Sequence, residues 1–238
     1  MTVSLKDGNI VGEIPDSQGV LMASLGGDFT DIRSGMRQQF LAAFKYYKFK
    51  SQKAFESRES SFLLPPNGNN LMSLLVSNKE LRIAANQPFL SRGLRLGLRP
   101  QEFKIEVIKD VDDVIISSPY SLSSDTYQRL VFYLAAILTN KDSVLVFEEP
   151  EAHAFPFYTK YLAEMIALEE NNNQYFISTH NPYFLMPLIE KAPIDDLAVF
   201  ITYYEDYQTK VKLLDRSELE RLTEIDVFSN LPAFLEDD

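Results

Sequence analysis

The residues best suited to chemistry fall in two short strings. In VLVFEEPEAHAFP, residues 144–156, an apolar run ends in adjacent glutamates, Glu148 and Glu149, with Glu151 and His153 close behind. Two carboxylates at a strand end can divide the labour of nucleotide hydrolysis, one holding Mg2+ through water and the next polarising the attacking water. The plainer reading is a strand that meets solvent in charge. In YFISTHNPYFL, residues 175–185, an apolar run passes through Ser178 and Thr179 to His180, and Asn181 and Pro182 then open a helix. A histidine so placed can donate to a phosphate or orient a water, or be no more than a satisfied polar group. The chain has two histidines, and each string holds one of them.

A third segment, SLSSDTYQRLVFYLAAI (residues 121–137), can begin a helix at Ser123, Ser124 or Asp125. Leu130, Tyr133, Leu134 and Ile137 recur at spacings of three and four and would form its apolar face. A helix start rich in hydroxyls and N–H groups is also a place for an anion, which Asp125 would oppose unless its carboxylate turned inward to cap. In RGLRLGLRP (residues 92–100), Arg92, Arg95 and Arg99 would share one face of a helix but not of an irregular loop. That basic stripe is either an ordinary solvated face or a contact for DNA phosphates.

The elements that must carry these residues change character near residue 110. Upstream, β-prone runs at residues 3–5, 9–14 and 20–25 with glycine turns read as hairpins. Asp31 can cap a helix over residues 33–44, residues 46–50 have strand composition, and a Pro-Pro-Asn-Gly turn at 65–68 leads into a helix from Asn69 or Asn70. Downstream, strands at 111–118, 143–148 and 174–179 alternate with helices at 123–139, 155–169 and 182–190. Two further strands, 197–204 and 209–214, precede a short helix at 217–222. Such alternation predicts an α/β fold whose mainly parallel sheet is covered on both faces, the 144–147 strand buried on both. Ligands of such sheets sit beyond the carboxyl ends of the strands, where both strings lie.

Charge divides the chain at the same place. Residues 1–110 carry 15 Lys and Arg against 11 Asp and Glu, whereas residues 111–238 carry 8 against 23. The net charge of −11 argues against a surface that coats nucleic acid throughout, and the asymmetry predicts two parts with different partners. The chain lacks cysteine, which excludes disulfides and thiolate metal sites. No apolar run approaches the length of a membrane span and the first 30 residues do not read as a signal peptide, so cytoplasm is the expected compartment.

The order of the three segments resembles the C-terminal half of ABC-type ATPases, closest to the RecF, SMC and OLD-like branch of AAA-type ATP-binding proteins. The resemblance implies a P-loop NTPase-like core over residues 111–238, preceded over residues 1–110 by remaining strands of the first lobe and a smaller α+β or helical lid region. It makes residues 122–129 a divergent signature motif, VLVFEEP the Walker B strand, residues 151–156 the D-loop region and His180 the switch histidine. Glu148 then takes the Mg2+ side, where the wider family has Asp, and Glu149 polarises water. His180 would meet the γ-phosphate. Ser123, with the N–H groups of Ser124, Asp125 and Thr126, would reach ATP held on another subunit, so the cofactors implied are ATP and Mg2+ and the assembly a nucleotide-dependent dimer.

One part of that pattern is missing from the sequence. A phosphate cradle of this class needs Gly-x-x-x-x-Gly-Lys-Ser/Thr, and none of the nine glycines is followed by lysine. The expectation is therefore an ATPase head inactive alone, its Walker A lobe truncated away or carried by a companion chain. The alternative is a non-enzymatic nucleotide-sensing or protein-interaction module that kept the fold. A metal-dependent nuclease built on Glu148, Glu149, Glu151 and His153 is a third possibility.

Overall fold

The computed structural model of the chain describes residues 2–6, 9–13, 20–24, 44–222 and 228–235. The chain forms two compact units, Met1–Phe44 and Lys45–Asp238. In the first, β1 (Thr2–Lys6), β2 (Asn9–Glu13) and β3 (Val20–Ser24) pair antiparallel in sequence order, as their β-prone runs predict. The helix expected after Asp31 lies outside the described residues.

The second unit is built around one long helix. Helices α1 (Leu71–Ser77) and α2 (Lys79–Leu90) follow β4 (Phe44–Tyr47), and Asn78 caps α2 by accepting from the Leu81 N–H at 2.9 Å. An antiparallel meander of β5 (Leu94–Arg99), β6 (Lys104–Val111) and β7 (Val114–Pro119) comes next, and then α3 (Asp125–Thr139). Every residue of α3 from Leu130 to Ile137 is buried, so the single apolar stripe read from the sequence is in fact a helix wrapped in core on all sides. It contacts α1, α2 and α4 (Pro156–Ala167), and reaches the sheet through Tyr133 against Phe147, ring centroids 5.1 Å apart.

That sheet has the order β4, β8 (Val144–Glu148), β9 (Gln174–Ser178), with β8 and β9 parallel and Glu148 opposite Ser178. Its α/β character is as expected, but its coverage is one-sided among the described residues. Leu145 and Phe147 are fully buried under the helices, while Val146 is half-buried and Phe176 remains 53% exposed on the other face. Lys45, on the inward face of β4, is buried yet satisfied: its ammonium donates to Asn140 Oδ1 at 2.6 Å and Ser143 Oγ at 3.2 Å and lies 3.7 Å over the Phe62 ring. Desolvation lowers its pKa.

Two sequence expectations are corrected here. RGLRLGLRP is mostly strand β5, with Leu94, Leu96 and Leu98 turned to the core and Arg95 and Arg99 on the opposite side, so the arginines make no helical stripe. The strand expected over 111–118 is two strands joined at Asp112 and Asp113, both with positive φ (51° and 63°), as a tight hairpin turn requires. The charge step near residue 110 thus falls inside this meander. Helix α5 (Pro182–Lys191), the hairpin of β10 (Phe200–Glu205) and β11 (Gln208–Leu213), and α6 (Arg216–Arg221) complete the unit around a second small core of Ile201, Leu214, Leu219, Leu222 and Phe234. Among the described residues no helix is long and apolar enough to cross a membrane.

Candidate active site

The carboxyl ends of β8 and β9 carry the residues singled out for chemistry, because parallel pairing aligns the two ends. Alternation along β8 turns Leu145 and Phe147 inward and Glu148 outward. There Glu148 Oε2 accepts from the Tyr46 hydroxyl at 2.8 Å and lies 3.7 Å from the Lys48 ammonium. Partial desolvation, and then the neighbouring carboxylate, raise the Tyr46 pKa. Neither partner was legible in the sequence: β4 lies about a hundred residues from β8, and only the sheet order brings them side by side.

Glu149 leaves the strand geometry at once, with φ +42°. Its N–H donates to the Ser178 carbonyl at 2.9 Å, extending the link between the strands by one residue. Its Oε1 lies 3.0 Å from His180 Nδ1. An ionised carboxylate can only accept, so that contact requires the proton on Nδ1 and leaves Nε2 as the nitrogen available to a ligand. Glu149 and His180 thus meet at the strand ends, while Glu148, next in sequence, is turned to Tyr46 and Lys48.

Glu151 and His153 take other roles. Glu151 is buried, accepts from the Thr179 hydroxyl, and has its pKa raised, chiefly by desolvation. The His153 carbonyl accepts from the Thr126 hydroxyl at 2.9 Å, which ties the start of α3 to the loop after β8. Among the described residues no group of three or more His, Asp or Glu side chains could hold a metal ion, so the four-residue nuclease site does not form.

At the α3 start, Ser124 occupies the N-cap position without a side-chain cap, and Ser123 Oγ donates to the Tyr120 carbonyl at 2.7 Å. Asp125 neither caps nor stands unbalanced: Arg129, one turn along, donates to it at 2.7 Å. Ser123 and Ser124 border a cleft of about 390 Å³ with Leu94, Val107, Ile116 and Tyr127. Arg92 lies in the turn before β5, and Arg99 is held by Glu106 at 2.7 Å.

The fold is a parallel strand pair under helices with two acids and a histidine at its carboxyl ends, and its family match makes it an ATPase-like α/β module. The chain belongs to the family described as "AAA domain, putative AbiEii toxin, Type IV TA system", which matches residues 24–186. Among solved structures it is similar to an SMC ATPase from work on ATP-driven dimerization and DNA-stimulated activation, at 16% identity over 65% of this chain and 95% of that one, TM-score 0.44. It is also similar to an Smc head domain with a coiled coil and joint from Pyrococcus yayanosii, at 17% identity over 64% of this chain and 30% of that one, TM-score 0.44. A third is an Smc head bound to the C-winged helix domain of ScpA, at 16% identity over 61% of this chain and 46% of that one, TM-score 0.43. No curated protein matches the sequence.

Proposed function

We propose that this chain is the hydrolytic half of an ABC-type ATPase head of the RecF, SMC and OLD-like branch, and that the loop cradling the phosphates is supplied by another segment or a companion chain. The observation that carries this reading is the Glu149–His180 pair, 3.0 Å apart at the ends of two parallel strands beside Glu148. Glu149 would take the proton of an attacking water, and His180, its Nδ1–H engaged by Glu149, would donate to the terminal phosphate from Nε2 on taking up a second proton there as the imidazolium. Glu148 has the hard oxygens that suit Mg2+, and its 57% side-chain exposure leaves it accessible. Among the described residues no group of three or more His, Asp or Glu side chains could hold the ion, so Glu148 would contribute one carboxylate to a coordination shell completed by water and phosphate oxygens. Bound ATP supplies the phosphoanhydride and Mg2+ the charge neutralisation. Ser123, Ser124 and Thr126 would face a nucleotide on a second subunit, with Asp125 neutralised by Arg129 so that it does not repel that anion.

The purified chain, incubated with ATP and Mg2+, should show negligible turnover by phosphate release. Turnover that survives Glu149→Gln would overthrow the assignment of roles. The rival reading, a nucleotide-sensing or protein-binding module, is favoured by one observation, the absence of any Gly-Lys pair. The genomic surroundings separate the two: an open frame upstream encoding Gly-Lys-Ser/Thr supports the ATPase head, and a frame without one, with no companion chain carrying the lobe, supports the rival.

A further inference from the structure

Glu151 is folded into the protein between the two strand ends, with 3% of its surface exposed. A buried carboxyl needs a donor at each oxygen or a proton of its own. Oε1 accepts from the Thr179 hydroxyl, while Oε2 has no partner among the described residues. Burial raises the pKa of this group, and the Thr179 bond opposes the rise. Retaining an incompletely satisfied polar group in the interior calls for a compensating role.

The contacts beyond Thr179 show where such a role can act. Thr179 Oγ1, donating to Glu151, also accepts the Asn181 N–H at 3.1 Å. Asn181 Oδ1 in turn accepts the Tyr183 N–H at 2.9 Å and so caps α5. His180 lies between Thr179 and Asn181, so the backbone on both of its sides is fixed by bonds that trace back to Glu151. The imidazole itself is 74% exposed and its partner Glu149 45%. An exposed pair of this kind holds its own geometry weakly. The backbone beneath must supply what the pair cannot.

We infer that Glu151 is a positioning residue, which through Thr179 sets the backbone carrying His180 and so aims the imidazole at Glu149. The inference rests on the proposed reading of Glu149 and His180 as a working pair, and adds the residue that assembles it. Glu151 touches no reacting atom in this scheme.

Having only two histidines makes the test direct, since a chain labelled with 15N-histidine gives two imidazole spin systems in long-range 1H–15N spectra. In the wild-type chain the His180 nitrogens should resonate far apart, as one fixed tautomer demands. Thr179→Val and Glu151→Ala should each draw the two shifts together toward the average of exchanging tautomers. Glu151→Gln, which still accepts from Thr179, should leave them apart. A cooperative thermal transition certifies each variant as folded, and Thr179→Val carries the test if Glu151→Ala does not fold. If His180 responds to Glu149→Ala but not to Thr179→Val or Glu151→Ala, the positioning role is overturned while the pair stands. If it does not respond to Glu149→Ala either, the pair itself is absent in solution and the functional reading fails with it. Neither outcome needs ATP or turnover.

Discussion

Glu149 holds a conformation that side chains ordinarily avoid. Its φ of +42° lies in the left-handed region, which costs a residue other than glycine roughly 1–3 kcal/mol. The Ser178 carbonyl, accepting from its N–H, and the Ala152 N–H, donating to its carbonyl at 3.0 Å, hold it there. The departure frees its carboxylate from the alternation that turns Glu148 toward Tyr46, so adjacent glutamates serve different neighbours. Glu151 next to them is held by burial instead, and this has a measurable signature. A carboxyl whose pKa is raised in the folded chain keeps its proton there after the unfolded chain has released it. Stability is therefore lost as pH climbs from the ordinary value of 4.5 through the raised one, and is restored on acidification. Glu151→Gln removes the ionisation and keeps an acceptor for Thr179, so it should melt above wild type at pH 7, with the gain shrinking toward pH 4.5. A gain independent of pH in differential scanning fluorimetry would show that the carboxyl does not titrate in the fold as burial requires.

Strand β8 is the element on which the site depends. Phe147, 1% exposed, packs its ring edge-on to Tyr47, Tyr133 and Tyr175 at centroid distances of 6.0, 5.1 and 5.8 Å. It thus joins all three strands of the sheet to α3, one residue before the first glutamate. Phe147→Ala should lower unfolding free energy by about 3–5 kcal/mol in urea titrations. Val146→Ala, on the half-buried face, should cost well under half of that; equal losses would mean that the sheet is covered on both sides after all. The two-sided burial expected from VLVF illustrates what sequence can and cannot show. A run of four apolar residues is compatible with burial on both faces, but it does not reveal whether anything is there to cover the second. Elements with strong periodicity or firm punctuation were legible: α3, α5 behind Asn181-Pro182, β8, β9 and the β10–β11 hairpin lie within two or three residues of where their patterns place them. The meander was less so. Leu94, Leu96 and Leu98 alternate as a strand should, yet the arginines between them also fit helical spacing, and Asp112-Asp113 lacks the glycine that announces a hairpin turn. In the candidate site, the placement of Glu148, Glu149 and His180 at neighbouring strand ends was legible from type and position. The burial of Glu151 was not, since glutamate is seldom buried, and the Tyr46 and Lys48 contacts depend on a sheet order that no local pattern encodes.

At the scale of the molecule, the net charge of −11 makes any contact with DNA a local matter of which cations have charge to spare. Of the three arginines near the start of the meander, Arg99 is committed to Glu106 at 2.7 Å and Glu102 at 3.8 Å, whereas Arg92 and Arg95 are exposed. A proposed DNA contact through this region would therefore neutralise two phosphates. Each phosphate neutralised on duplex DNA contributes about −0.9 to the slope of log affinity against log salt, so the expected slope is about −1.8. Fluorescence anisotropy with a labelled duplex across a salt series measures it. Arg92→Ala or Arg95→Ala should each bring the slope to about −0.9. Arg99→Ala should leave the slope in place and weaken binding only by exposing Glu102 and Glu106 to the phosphates. A slope that falls with Arg99→Ala would mean that DNA competes Arg99 away from its carboxylates. No binding even at about 50 mM salt, where such contacts are strongest, would leave the arginines as ordinary solvated residues of an acidic protein.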